Sequence, residues 1–301
     1  MKKTKLIYIL SQRYSGSTLL SFLMGTHPAI STIGERRKFY NNSFLFGDKN
    51  YCSCEKLFQD CEHWNAIKER VMKRIDVTDY STNPTEFKLF QNKYVHRLAF
   101  EAVKFGLLRN APILAKPFQK QLQRLYDFNQ VLVEEILAMD GGQVFLDSSK
   151  VIDHALFLSQ IPAFDVHVIW LTRDPRAQVH SALKYNSWSI EKATQLWKKE
   201  MVDNANTLKQ MPVKHIELTY EALCRDPHKE MVRLLEFTGL DSSAFSLEFR
   251  QQPQHIMGNY SMRLGKDSTI EERKEWQSGL TQEQVKTIEG LTQEYRQYYS
   301  D

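Results

Sequence analysis

The stretch Leu6-Ile7-Tyr8-Ile9-Leu10-Ser11-Gln12-Arg13-Tyr14-Ser15-Gly16-Ser17-Thr18-Leu19-Leu20-Ser21-Phe22-Leu23 decides the fold class. Five consecutive apolar residues predict a strand over 6–10 that is covered on both faces. A loop of small and polar residues follows, and then a helix over 17–25. A strand, a small-residue loop and a helix start together make an anion cradle. Gly16 lets the backbone turn tightly, and the first helical N–H groups point at the bound charge. Ser17 and Thr18 add hydroxyl donors, and Arg13 adds a planar fork suited to phosphate or sulfate. The plainer alternative is that Ser-Gly-Ser-Thr simply caps the helix. The nucleoside-triphosphate loop G-x-x-x-x-G-K-[ST] is not matched, because Ser17 stands where that pattern needs lysine.

Working outward, short apolar runs alternate with longer amphipathic stretches, the signature of a parallel sheet built from βαβ units. Strands are predicted over 6–10, 112–115, 143–147, 166–172 and 213–218. Helices are predicted over 17–25, 55–74, 85–108, 120–139, 175–185, 190–209, 228–238 and 281–298. The expected fold is α/β, a P-loop-like parallel sheet of about five strands flanked by helices. Residues 1–301 are read as a single domain. A helical insertion at about 40–140 is expected to cover the acceptor side at the sheet's carboxyl edge, where such folds place their ligands.

Two further strand ends carry chemistry. The run Val166–Thr172 leads into Arg173-Asp174-Pro175-Arg176. Asp174 is a good N-cap and Pro175 a good first helical residue, so Arg173 falls at the carboxyl end of a strand. Ser181 follows two turns into the helix. Surface salt bridges are the plainer reading of Arg173 and Arg176. The strand over 143–147 runs into Asp147-Ser148-Ser149-Lys150, where an ammonium can neutralise charge on a leaving oxygen. Here the alternative is that Asp147 or Ser148 caps the next helix and Lys150 is solvated. Glu35, after the first helix, is placed to return over the loop as a general base. Pairing with Arg36 or Arg37 is its alternative.

The string Arg13–Leu20 followed by His27-Pro28, with Arg173–Arg176 and Ser181 downstream, resembles PAPS-dependent sulfotransferases, in particular their bacterial and tyrosylprotein-type branches. PAPS is 3′-phosphoadenosine 5′-phosphosulfate. The resemblance implies that Arg13, Ser15, Gly16, Ser17 and Thr18 grip the 5′-phosphosulfate, and that Arg173 and Ser181 bind the 3′-phosphate. It implies Glu35 as the catalytic carboxylate, with Lys150 and Arg13 stabilising transferred charge. Gly258-Asn259-Tyr260-Ser261-Met262-Arg263 and Glu275-Trp276 look like the family's late loop, which would bring Arg263 to the nucleotide. Tyr220-Glu221-Ala222-Leu223 resembles a recurring segment read as structural. Phenol and steroid sulfotransferases of the cytosol use a histidine base, so His27, His154 and His180 stay as secondary candidates. PAPS is thus the implied co-substrate, 3′-phosphoadenosine 5′-phosphate (PAP) the product, and no metal is required for transfer. The alternatives are a small-molecule kinase, which would need a loop lysine and an acidic Mg²⁺ ligand such as Asp147, and an inactive nucleotide-binding scaffold.

A formal net charge of +4 on 301 residues gives no global field for nucleic acid, so any anion site must be local. The N-terminal apolar run is too short for a signal segment, and a cytoplasmic protein without membrane contact is expected. Phe39, Tyr40, Phe44, Phe46 and Tyr51 are candidates to hold a small-molecule, carbohydrate or peptide hydroxyl acceptor. Three of the four cysteines cluster with a histidine as Cys52-x-Cys54-x6-Cys61-x-His63. The cluster lacks the paired C-x2-C knuckles of common zinc modules, so thiol packing is the plainer reading and no metal is assigned, with a tetrahedral zinc site on Cys52, Cys54, Cys61 and His63 as the alternative.

Overall fold

A computed structural model describes residues 3–44, 51–76, 80, 83–86, 92, 94, 95, 98 and 112–299. Its centre is a five-stranded, all-parallel sheet in the order β2-β3-β1-β4-β5. The strands are β1 Thr4–Ser11, β2 Ile30–Thr32, β3 Val144–Lys150, β4 Phe164–Thr172 and β5 Lys214–Thr219. Between them run α1 Ser17–Met24, α2 Phe39–Phe44, α3 Glu62–Arg74, α4 Pro112–Asp140, α5 Ile152–Ser159, α6 Pro175–Tyr185 and α7 Ile190–Gln210. After β5 come α8 Tyr220–Arg225, α9 Pro227–Thr238, α10 Tyr260–Arg263, α11 Trp276–Gly279 and α12 Gln282–Thr292.

The burial of β1 and β4 explains their unbroken apolar sequences, because helices cover both faces of the sheet. One face receives Leu6, Tyr8 and Leu10 from β1 with Val168 and Trp170 from β4, packed against Trp64 and Ile67 of α3 and Phe128 and Leu132 of α4. On the other face lie Ile7, Ile9, Ile169 and Leu171, against Leu20 and Leu23 of α1 and Leu234 and Leu235 of α9. No helix among the described residues is long and apolar enough to cross a membrane.

One expectation is corrected. Residues 112–115 are not a strand but the start of α4; four apolar residues cannot separate strand from buried helix, and 29-residue context decides for helix. The fifth strand is instead β2, a three-residue piece at the sheet edge. The described helices of the 40–140 segment pack on one face of the sheet. Most of the helix expected over 85–108 lies outside the described residues. Phe39 is fully buried and stacks on Trp64, and Tyr40 packs edge-on to Phe128. These two rings belong to the core and are not free to hold an acceptor.

The topology places a site. The chain leaves β1 toward β2 and β3 on one side, and later crosses to β4 and β5 on the other. Such a switch point opens a crevice at the carboxyl ends of the central strands. Behind it lies a buried charge network. Arg36 and Asp147 are fully buried, with Arg36 Nε 2.8 Å from Asp147 Oδ2. Arg36 also donates to Asn129 Oδ1, and Asn129 in turn donates to the carbonyls of Pro84 and Leu125 at 2.9 and 2.7 Å. Removing one member of a buried pair leaves the other charge uncompensated. Asp147→Ala is expected to lose about 3–5 kcal/mol in urea unfolding, and the double replacement Arg36→Met/Asp147→Leu to lose less than Asp147→Ala alone.

Candidate functional site

The loop after β1 takes two left-handed residues in close succession, Tyr14 at φ 64° and Gly16 at φ 89°. Gly16 is the N-cap of α1 and no side chain caps the helix, so the plain capping reading of Ser-Gly-Ser-Thr does not describe this turn. A Cβ at Gly16 would come within 2.5 Å of the Tyr220 ring, which makes glycine necessary twice over. Ser15 Oγ donates to the Gln12 carbonyl at 2.7 Å and tightens the loop. Thr18 Oγ1 accepts from Asn259 N–H at 3.0 Å, tying the helix start to the late segment.

Arg173 is brought beside this loop because β1 and β4 are paired neighbours, Ser11 opposite Leu171. Its Nη1 donates to the Tyr14 carbonyl at 2.7 Å and its Nη2 to the Arg273 carbonyl at 3.1 Å, while the guanidinium lies 4.3 Å from the centre of the Tyr220 ring. Its Nε is buried and has no hydrogen-bond partner in the described structure. Arg176, by contrast, is held by Asp174 and Glu289 and stacks on Trp276 at 4.2 Å. The salt-bridge reading therefore suits Arg176.

Across the crevice, β3 carries a bulge. Tyr8 pairs with Asp147 but Leu10 pairs with Lys150, so β3 has one residue more than β1 over this step. Lys150 emerges at φ 75°, a strained backbone for a lysine and a recurrent mark of functional positions. Its ammonium meets Glu35 Oε1, while Lys38 Nζ lies 2.8 Å from Glu35 Oε2. Glu35 is only 4% exposed. It is fixed by the preceding Gly34, at φ 75°, where a Cβ would come within 1.9 Å of the Met257 carbonyl. The Glu35 N–H donates to that carbonyl at 3.0 Å and Met257 N–H donates to the Ile33 carbonyl at 2.8 Å.

Burial pushes the Glu35 carboxyl up, but the ammonium groups of Lys150 and Lys38 outweigh it and hold the group at about 2. Burial moves Lys150 the opposite way, below the usual lysine range, against the pull of Glu35. The two tendencies oppose one another, and the carboxylate decides the state of the pair because two cations face it.

One cavity of about 530 Å³ is lined by Arg13, Ser15, Gly16, Ser17 and Thr18, by Glu35 and Lys150, and by Arg173 and Ser181. The structure thus brings together nine of the ten residues singled out from sequence. The tenth, Arg263, is buried, with Nη1 directed at the Met257 sulfur at 3.0 Å and its guanidinium 5.6 Å from the Phe58 ring centre. The neighbouring Gly258 and Asn259 reach the lining in its place. Among the lining residues seven cations, Arg13, Arg37, Lys38, Lys150, Arg173, Lys184 and Arg273, face three carboxylates, so the cavity favours a polyanion. Arg13 also borders a second cavity of about 300 Å³ containing Trp188, Trp197 and Glu200.

Of the described histidines, only His180 lines the larger cavity. The ring of His27 is engaged by Ala29 N–H and the Asp241 carbonyl. His154 is buried, and burial with the charges of Arg36 and Arg37 lowers it to about 3. Asp147 is spent on Arg36 and on Ser149, which removes the Mg²⁺ ligand that a kinase would need. Sequence reasoning passed over Tyr220, which forms the wall between Gly16 and Arg173; its signal was the recurring segment after the last strand, read only as structural.

A model of the sulfotransferase family matches residues 7–244 of the chain. Two solved structures share its fold. A sulfotransferase domain from the curacin biosynthetic pathway is 16% identical, with a TM-score of 0.50, over 97% of this chain and 99% of that one. A sulfotransferase domain from the Synechococcus PCC 7002 olefin synthase is 16% identical, with a TM-score of 0.53, over 97% of this chain and 95% of that one. No curated protein matches the sequence.

The ionic state of Glu35 has a measurable sign. Its folded pKa lies below the ordinary 4.5, so the pair's stabilisation is complete above about 4.5 and is lost as pH falls toward about 2. Glu35→Gln is expected to flatten that part of the stability–pH curve measured by urea titration, and an unchanged curve would mean that Glu35 is not held by its two lysines.

Proposed function

The chain belongs to the sulfotransferase family, and we propose that it moves a sulfuryl group from PAPS to a hydroxyl acceptor, using residues 1–301 as one domain. The reading rests on one observation: the Arg13 loop, the Glu35–Lys150 pair and the Arg173–Ser181 pair line the same cavity. A cationic lining with two separate anion-facing groups suits a nucleotide carrying two charged groups. The uncapped start of α1 suits the 5′-phosphosulfate, and the unpartnered Nε of Arg173 suits the 3′-phosphate.

The donor supplies an activated sulfuryl group, and this chain's residues supply the rest. Glu35 takes the proton from the acceptor hydroxyl as the oxygen bonds to sulfur. Lys150 Nζ meets the negative charge that develops on the bridging oxygen as its bond to sulfur breaks, and PAP departs. Arg13 neutralises the equatorial oxygens. Together the cations fill the place that Mg²⁺ holds in kinases. In the unliganded pair Glu35 is a poor base, because Lys150 and Lys38 hold its carboxylate at low proton affinity. Lys150 has three N–H donors, so it can turn toward the donor's oxygen. Loosening its grip on Glu35 raises the proton affinity of the carboxylate when the acceptor needs a base. Donor binding and base activation are coupled through one ammonium.

PAPS and PAP are expected to raise the melting temperature in a thermal-shift series, and ATP to raise it far less. With labelled PAPS and a panel of phenols, sugars and tyrosine peptides, Arg13→Ala and Lys150→Ala are each expected to lose at least about 10²-fold in turnover. Near-normal turnover in both variants, or equal stabilisation by ATP, would sink the assignment. PAP binding without transfer to any acceptor would favour the scaffold reading.

A further inference from the structure

Outside the cavity, three thiols and an imidazole converge on one point. The Sγ atoms of Cys52, Cys54 and Cys61 and a ring nitrogen of His255 all lie within 4.8 Å of one another. Cys54 Sγ is 3.6 Å from Cys61 Sγ, and His255 Nδ1 is 3.6 Å from Cys52 Sγ and 3.3 Å from Cys61 Sγ. All four cysteines of the chain are unbridged. These separations are far too long for a disulfide bond of about 2.05 Å. They match the edges of a tetrahedron around zinc: bonds of about 2.3 Å to sulfur and about 2.0 Å to nitrogen give edges of roughly 3.8 Å and 3.5 Å.

The surrounding chain presents these atoms from three directions. Residues 51–57 form a tight turn closed by the Tyr51–Leu57 bridge, with Cys52 N–H donating to the Lys56 carbonyl at 2.8 Å and Glu55 at φ 67°. The turn delivers Cys52 and Cys54 on one knuckle. Cys61 is the N-cap residue of α3, where the helix start favours a thiolate. His255 comes from the far end of the chain, and Ser53 fixes it from both sides: the Ser53 hydroxyl donates to the Gln254 carbonyl and accepts Ile256 N–H at 2.7 Å. His63, the histidine nearest in sequence to the cysteines, lies outside the ligand group. It stacks on the His255 ring at 4.2 Å with an 8° interplanar angle and sits 3.9 Å from Asp140.

We propose that Cys52, Cys54, Cys61 and His255 bind a structural Zn²⁺ ion. Three thiolates and an imidazole are soft ligands that select zinc among common divalent ions. Four protein ligands close the coordination sphere, so the ion holds structure and takes no part in transfer. What it holds follows from the chain path. Two residues beyond His255, Met257 hydrogen-bonds to both Ile33 and Glu35, and Asn259 N–H binds Thr18 Oγ1. The ion staples the 51–61 turn to the segment that seats the Glu35 backbone and roofs the anion loop.

The test is metal analysis of the full chain, purified under reducing conditions without a polyhistidine tag. The expected result is one zinc ion per chain, replaceable by Co²⁺ with the intense visible absorption of tetrahedral thiolate coordination. His255→Ala and Cys61→Ser are expected to lose the metal, while His63→Ala retains it. A strong chelator is expected to lower the melting temperature of the wild-type chain, a readout that does not depend on any variant folding. The proposal is overturned if the reduced wild-type protein carries no zinc and takes up no Co²⁺, or if His63→Ala empties the site and His255→Ala does not. Neither readout depends on whether the cavity binds PAPS.

Discussion

The Glu35–Lys150 ion pair is the constraint around which the molecule is organised. Both groups are drawn out of water at the carboxyl edge of the sheet, one after β2 and one at the end of β3. Placing them in contact uses two backbone devices. A bulge and a left-handed φ turn Lys150 inward, and a left-handed glycine lets the chain before Glu35 run against Met257 without a side chain between them. Behind both stands the Arg36–Asp147 pair, which buries opposite charges one residue after Glu35 and three residues before Lys150.

The same economy appears at the other wall of the crevice. Tyr220 touches Gly16 on one side and faces the Arg173 guanidinium on the other, while Arg173 reaches back to the Tyr14 carbonyl. The loop after β1 and the Arg173 junction are therefore one mechanical unit, joined by an aromatic ring and a hydrogen bond. The late segment completes it, since Arg273 accepts from Arg173 and Asn259 donates to Thr18. A cavity assembled from five strand ends and a late loop has its donors already oriented, which is the condition for electrostatic stabilisation of a transferring group.

How much of this was readable from the sequence varies with the range of the signal. The anion loop and the Arg173 junction were legible because their information is local: glycine, serine and arginine at fixed offsets from an apolar strand, and an Asp-Pro helix start. Three of the strands, β1, β3 and β4, were legible because both their faces are buried, and β5 by its short apolar-polar run before a helix start. The edge strand β2 was not, since Ile30-Ser31-Thr32 is too short to carry a period. The apolar start of α4 read as a strand because its helical context was not weighed against the short run. The surroundings of Arg263, Met257 and Phe58, were not legible because they are assembled across the chain. The fourth member of the thiol cluster was invisible for the same reason: His255 stands 194 positions from Cys61, whereas His63 stands two away.

Everything in the functional account depends on a single nucleotide spanning the Arg13 loop and Arg173. The direct measurement is a calorimetric cycle: PAP and adenosine 5′-monophosphate, which differ only in the 3′-phosphate, each titrated into the wild-type chain and into Arg173→Met. The account predicts that the wild type strongly prefers PAP and that the variant loses most of that preference while still binding the monophosphate. An equal preference for PAP in both proteins would contradict it, because the 3′-phosphate would then be held somewhere other than at Arg173.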